Sequence, residues 1–234
     1  MAYVDNEQEA VKKTLEGEKS KLAQMNFAQK AEYIFSYYRI HIIIALVVIA
    51  AIVYIVHLRL NYIDYKLYGV IINSYQYDES LEDTLPELLG MGKHEGVSLI
   101  AGLSGDSESN STGYYNQIDL YTISGQMDFA FTDDDGVQYL CDLGTPWDVT
   151  EELPDELLEL WSDREVSFRE LNADDDSYFD NHAAIDISGT AVHDYFGLDD
   201  NMSYLVIVGN PSANEYMDDF YQLLIDIETG KVSK

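Results

Sequence analysis

Basic residues are scarce in this chain: 13 Lys and Arg stand against 43 Asp and Glu, a formal net charge of −30 over 234 residues. Gripping a phosphate backbone needs Lys and Arg gathered on one face, so nucleic acid is excluded as a partner. The same charge disfavours anionic lipid head groups and acidic substrates. Cysteine is almost absent as well. Cys141 stands alone, which excludes a disulfide scaffold and a structural zinc site. A second long hydrophobic run is also missing, so a hairpin through a membrane is excluded. Apolar residues in general are not lacking: at 47% of the chain they support a folded core and argue against a disordered tail.

Sequence signatures of chemistry are equally thin. GLSGD (102–106) lacks the second glycine of a nucleophile elbow at the required place, and no His and acid accompany it in a recognisable order. The five histidines, His41, His57, His94, His182 and His193, form no HExxH. Oxygen ligands are plentiful in TDDDG (132–136) and NADDDSYFDNH (172–182), but neither carries the glycine and glutamate of a calcium-binding EF-hand loop, and both read as solvated charge. No glycine-rich phosphate loop is present. Ser188-Gly189-Thr190 could cradle an anion on backbone N–H groups, but three residues make a weak motif. The sequence thus predicts no metal, no cofactor and no catalytic residue, and a protein that is not an enzyme.

What is there in abundance lies near the N-terminus. Ile40 to Leu58 reads IHIIIALVVIAAIVYIVHL, apolar on every face without an amphipathic stripe. At about 1.5 Å per residue it spans roughly 29 Å, the hydrocarbon thickness of a bilayer. Tyr33, Phe35, Tyr37 and Tyr38 before it, and Tyr54, Tyr62 and Tyr65 at its far side, suit aromatic belts at the head-group level. The chain ahead of the run is too long for a cleaved signal peptide, and no small-residue cleavage site follows. A retained single span through the cell membrane is predicted, with the lipid bilayer as partner of residues 40–58.

The flanks set the orientation. Residues 1–39 carry six basic and six acidic groups, residues 59–234 seven and 37. Lys21, Lys30 and Arg39 lie close to the span on one side, Arg59 and Lys66 on the other, so the positive-inside rule puts the N-terminus in the cytoplasm and an extracytoplasmic domain after Asn61. Residues 1–39 read as a cytoplasmic arm: a solvated helix over 6–25, which could dock a cytoplasmic partner, then an interfacial turn over 27–39.

Residues 61–234 read as one acidic α/β sandwich with a mostly parallel or mixed sheet. Short β-branched runs at 67–73, 97–103, 127–132, 183–187 and 204–209 are expected strands. Asp155–Trp161 after Pro154 is an expected helix, and Ala213–Ile227 another, with Ser212 and Glu215 as a capping box. Tyr114–Ile123 fits either a helix or a strand, and 166–187 suits two strands about a polar loop, in a hairpin or a return crossing.

The run YTISGQMDFAFTDDDGVQYLCDL (121–143) resembles the helix, Gly-x-x-Asp, strand, short helix and leucine loop of type 2 periplasmic solute-binding proteins. LPDELLELW (153–161), AIDISGTAVHDYFGL (184–198) and YLVIVGNPSANEYMDDFYQLL (204–224) continue that order. Together with AEYIFSYYR (31–39) before the span, the order is similar to small single-pass membrane proteins of Gram-positive bacteria. The resemblance implies a reduced solute-binding fold, about one lobe in size.

A pocket in such a fold is expected where the strands end in loops. The residues there are Ser74, Ser104, Asp133, Ser188, Gly189 and Asn210, the candidate ligand-binding set, whose types also cap helices and turns. Tyrosines at 75, 77, 114 and 115 offer amphipathic contact area for a carbohydrate, peptide or protein partner, and the partner expected of the domain is a small solute or a protein. The expected function is a membrane-anchored binding or assembly module. The alternative is a structural subunit of a larger membrane complex, joined through the span or the arm.

Overall fold

A computed structural model describes residues 17, 19, 20, 23, 25–104, 117–172 and 177–234, with backbone only at 33, 34, 37 and 38. The chain divides into two compact units, Met1–Tyr62 and Ile63–Lys234. Most of the helix expected over 6–25, together with Tyr114, Tyr115 and Asp174–Asp176, lies outside the described residues.

In the first unit a long helix, α1 (Phe27–Leu60), runs for 34 residues, about 51 Å. Asn26 caps it: its side chain accepts from Gln29 N at 2.9 Å, while Gln29 Oε1 accepts from Asn26 N at 3.1 Å. This reciprocal box starts the helix twelve residues ahead of Arg39, so the segment expected as an interfacial turn is helical. Within α1, Arg39–Leu60 is long and apolar enough to cross a membrane, and its most apolar stretch has no buried residue.

The second unit is α/β, built on a mixed six-stranded sheet in the order β2-β1-β3-β6-β5-β4. Its strands are β1 (Asp64–Ile72), β2 (Glu95–Leu103), β3 (Phe129–Thr132), β4 (Glu165–Leu171), β5 (Tyr178–Asp186) and β6 (Tyr204–Ile207). β1 pairs in parallel with β2 and β3. β6 inserts between β3 and β5, antiparallel to both, and β4 with β5 forms the hairpin expected over 166–187.

Helices cover both faces, which is why the strands are apolar at consecutive positions rather than alternate ones. Leu67, Ile71, Phe129, Phe131, Leu205 and Ile207 face a core closed by α2 (Leu81–Leu88), α5 (Val149–Glu152), α6 (Asp155–Leu160), α7 (Ala191–Phe196) and α8 (Met217–Glu228). Val70, Ile72, Ala130, Ala184 and Val206 face the opposite one, closed by α3 (Gln117–Ile123) and α4 (Asp134–Asp142). The ambiguous stretch at 114–123 is therefore helical from Gln117.

Gly69 leaves room on β1 for the Phe129 ring. A Cβ there would run into the Phe129 ring and come within 2.7 Å of Leu99, and Phe129 stacks on Phe220 of α8 with centroids 4.3 Å apart.

The expected start of the last helix is corrected. Ser212 does not cap the last helix: Pro211–Ala213 is a 3-10 turn and α8 begins at Met217, because the Asn214 side chain is drawn away to the backbone. Cys141, on α4, is fully buried, and burial, with Glu170 and Asp142 nearby, pushes it up to about 12.

Candidate functional site

Since β5 runs parallel to β1, β2 and β3, the carboxyl ends of all four strands share one edge of the sheet. Ser74, Ser104, Asp133, Ser188 and Gly189 lie there. β6 runs the other way, so Asn210, just beyond its carboxyl end, lies at the opposite edge. Five of the six candidates are thus brought to one edge and the sixth is separated from them by the length of the sheet.

At that first edge the polar groups hold one another. Asn73, with φ of 66°, donates from Nδ2 to Asp133 Oδ1 at 2.8 Å, and the same oxygen caps α4 by accepting from Gly136 N at 3.0 Å. The buried Ser74 hydroxyl donates to Asp199 and accepts from Gln76 N at 3.0 Å. Ser188 donates its hydroxyl to Asp186, whose Oδ1 also accepts from Ser188 N at 2.9 Å, and Gly189 makes the left-handed turn at φ of 68°. The N-terminal N–H groups of α7 are already taken: Val192 N donates to Glu228 Oε1 at 3.0 Å, and His193 N to Thr190 Oγ1 at 3.2 Å. Ser104 is exposed where β2 ends. Ser74 has a carboxylate for a partner, while His193 Nε2 sits 3.1 Å from the carbonyl oxygen of Asp199. The histidine is therefore not the base of that serine, which geometry would require for a nucleophile.

The opposite edge is built differently. A cavity of about 560 Å³ opens there, lined by Lys66 and Tyr68 of β1, Gly125 and Asp128 ahead of β3, and Gly209, Asn210, Ala213, Asn214 and Glu215 after β6. Asp128 is the Asp of the Gly-x-x-Asp run, and its backbone extends the ladder: Asp128 N donates to Tyr68 O at 2.8 Å, and Val208 N to Asp128 O at 2.9 Å. The residue is only 7% exposed, and its carboxylate accepts from Tyr68 N at 2.7 Å and from the Asn214 side chain. Burial pushes this carboxyl above the usual range, and the two hydrogen bonds only partly offset that. Gly209, at φ of 72°, brings the chain so close to β3 that a Cβ would stand 2.7 Å from Met127 O. Asn214 Nδ2 donates to Lys66 O at 3.0 Å, which ties the turn after β6 to β1. The Lys66 ammonium is paired with Asp64 at 3.0 Å.

The buried Asp128 was not among the sequence-derived candidates. Its spacing from Gly125 was visible, but nothing in sequence marks β6 as the reversed strand that brings residues 209–215 beside it.

Elsewhere, two smaller cavities, of about 350 and 310 Å³, flank Val232–Lys234, where Lys234 Nζ meets Asp78 at 2.6 Å and lies over the Tyr195 ring. Tyr75 is exposed, whereas Tyr77 is half-buried and donates to Glu82 at 3.1 Å. Among the described residues no three His, Cys, Asp or Glu side chains gather to hold a metal ion. In TDDDG two of the three carboxylates are used in the fold: Asp133 caps α4 and Asp134 accepts from Tyr204 OH at 3.0 Å.

Comparison with protein-family models, with curated proteins and with solved structures gives no match.

Proposed function

We propose that the chain is a membrane-anchored module without enzymatic activity, in which α1 spans the cell membrane once and Ile63–Lys234 faces outward to bind a solute or a protein. The observation that carries this reading is the contrast between the two units. Arg39–Leu60 holds the uninterrupted apolar stretch Ile42–Val56 with no buried residue in its most apolar window, while the α/β unit buries apolar side chains on both faces of its sheet. An apolar helix left uncovered in water is strongly disfavoured, and a bilayer removes that cost.

The resemblance to type 2 periplasmic solute-binding proteins belongs to the same proposal. In its support, α3, Gly125 and Asp128, β3, α4 and Leu143 follow in the order that the resemblance implies. The lack of a histidine base at Ser74 favours binding over chemistry. Closed faces also leave the two sheet edges as the places where a ligand can be met.

The deciding experiment is thermal unfolding of the full chain in detergent against sugars, amino acids, short peptides and calcium. A ligand at about 100 times its dissociation constant adds about 2.7 kcal/mol and lifts the midpoint by about 5 °C or more. A flat panel overturns the solute-binding half of this reading and favours a structural subunit. Orientation is tested separately by a Lys93→Cys variant, since Lys93 is exposed in the turn before β2. It is expected to react with a membrane-impermeant maleimide on intact cells, and labelling only after lysis reverses the topology.

A further inference from the structure

We propose that the cavity lined by Lys66, Tyr68, Asp128, Asn210, Ala213 and Asn214 is a binding site for a short aliphatic primary amine, whose ammonium group pairs with the Asp128 carboxylate. The proposal rests on the reading of this unit as a binding module and is independent of the membrane anchor.

Asp128 carries the argument. Asp128 is only 7% exposed, and a buried carboxylate is costly unless a positive charge accompanies it, yet the two groups that hold it, Tyr68 N–H at 2.7 Å and the Asn214 amide, are neutral. The lysine on the cavity wall is already engaged, with Lys66 Nζ 3.0 Å from Asp64. Neither hydrogen-bond partner of the Asp128 carboxylate is thus a cation, and Glu215 on the cavity lining adds a second negative charge.

The remaining lining selects the kind of cation. A bare metal ion needs several oxygen or nitrogen ligands in one shell, and among the described residues no group of three or more such acidic, His or Cys side chains exists. An ammonium group needs fewer: it offers three hydrogen-bond donors, which the Asp128 carboxylate and the side-chain carbonyl of Asn210 can share, while Asn214, whose Oδ1 accepts from Tyr216 N at 3.0 Å, holds the carboxylate from its amide side. Tyr68, Ala213 and the glycines 125 and 209 supply apolar contact for an aliphatic body, and about 560 Å³ is within the range of small-molecule sites.

The test is isothermal titration of the full chain in detergent with butylammonium chloride at about 0.15 M salt, which screens the surface charge. Butyrate and butanol serve as controls. Saturable one-site binding of butylammonium alone is expected. Asp128→Asn, which keeps an acceptor for Tyr68 N–H, is expected to weaken it at least tenfold, and Ala213→Phe, which fills the cavity without touching a charge, is expected to abolish it. Asp180→Asn, at an exposed carboxylate on β5, should change nothing. Non-saturating heats, equal binding of butyrate, or affinity indifferent to both cavity variants overturns the site. A thermal shift from a sugar or peptide that survives Asp128→Asn also overturns it, while leaving the binding-module reading intact.

Discussion

Two residues show what a single side chain costs in this fold. Gly69 is where β1 leaves room for the Phe129 ring, which stacks on Phe220. Gly69→Val is expected to lower stability by about 1–3 kcal/mol through overpacking, read as a fall in the urea midpoint without a change in slope. An unshifted midpoint would mean that Phe129 can move aside. Cys141 makes the complementary prediction. With the thiol buried and held up to about 12, its thiolate fraction at neutral pH is negligible, so maleimide should label the wild-type chain only after unfolding. Labelling at native rates would contradict the packing of α4. The wild-type cysteine is thereby a silent background for the Lys93→Cys topology experiment.

At the scale of elements, α8 and α3 illustrate which sequence patterns can be trusted. The stripe Met217, Phe220, Leu224 and Ile227 is legible as one apolar helix face, and all four are buried. Leu224→Ala is expected to cost about 2–5 kcal/mol, whereas Ile123→Ala on α3, where the side chain is 85% exposed, should stay within about 0.5 kcal/mol. Comparable losses in chemical denaturation would show that α3 packs against something. Helix starts were less legible than helix faces. Ser212 and Glu215 have the spacing of a capping box, but Asn214 bonds to Lys66 O and Tyr216 N instead, so the helix waits until Met217. The hairpin of β4 and β5 was readable from two apolar runs around a polar loop. α2 was not, because eight residues with Pro86 in the interior present little periodicity.

At the scale of the molecule, acidity governs the response to pH. Asp128 and Glu170 are both pushed above the usual carboxylate range, chiefly by burial, and Glu170 also by the charge of Asp148. Such a group binds its proton more tightly folded than unfolded, so its contribution to stability declines as pH rises from the unfolded value through the raised folded one. Relief of repulsion in a chain of charge −30 acts in the same direction. Asp78 acts oppositely: held down to about 2 by Lys234 and Ser80, it contributes above the ordinary carboxylate value and is lost as pH falls toward 2, but it lies at the surface and its weight is small. Lowering the pH from 7 to about 5 is therefore expected to raise the thermal midpoint. The Asp128→Asn, Glu170→Gln double variant should show a shallower rise. A midpoint that falls on acidification, or a double variant with an unchanged slope, would refute the assignment to these two buried carboxyls.

Local pattern was enough for those features that depend on neighbours in sequence. The apolar run within α1, the buried strands, the α/β class and the stripe of α8 all follow from the spacing of apolar residues, since burial of one face or of both leaves a period in the chain. Tertiary structure alone decided which edge each loop reaches. Ser74, Asp133 and Ser188 follow strands that run together, and Asn210 follows β6, whose reversal between β3 and β5 leaves no local trace because a fully buried strand reads the same in either direction. Burial of Asp128 was hidden for the same reason: its cost arises from residues 209–215, more than eighty positions away, and sequence spacing carries no record of a contact that only the closed sheet creates.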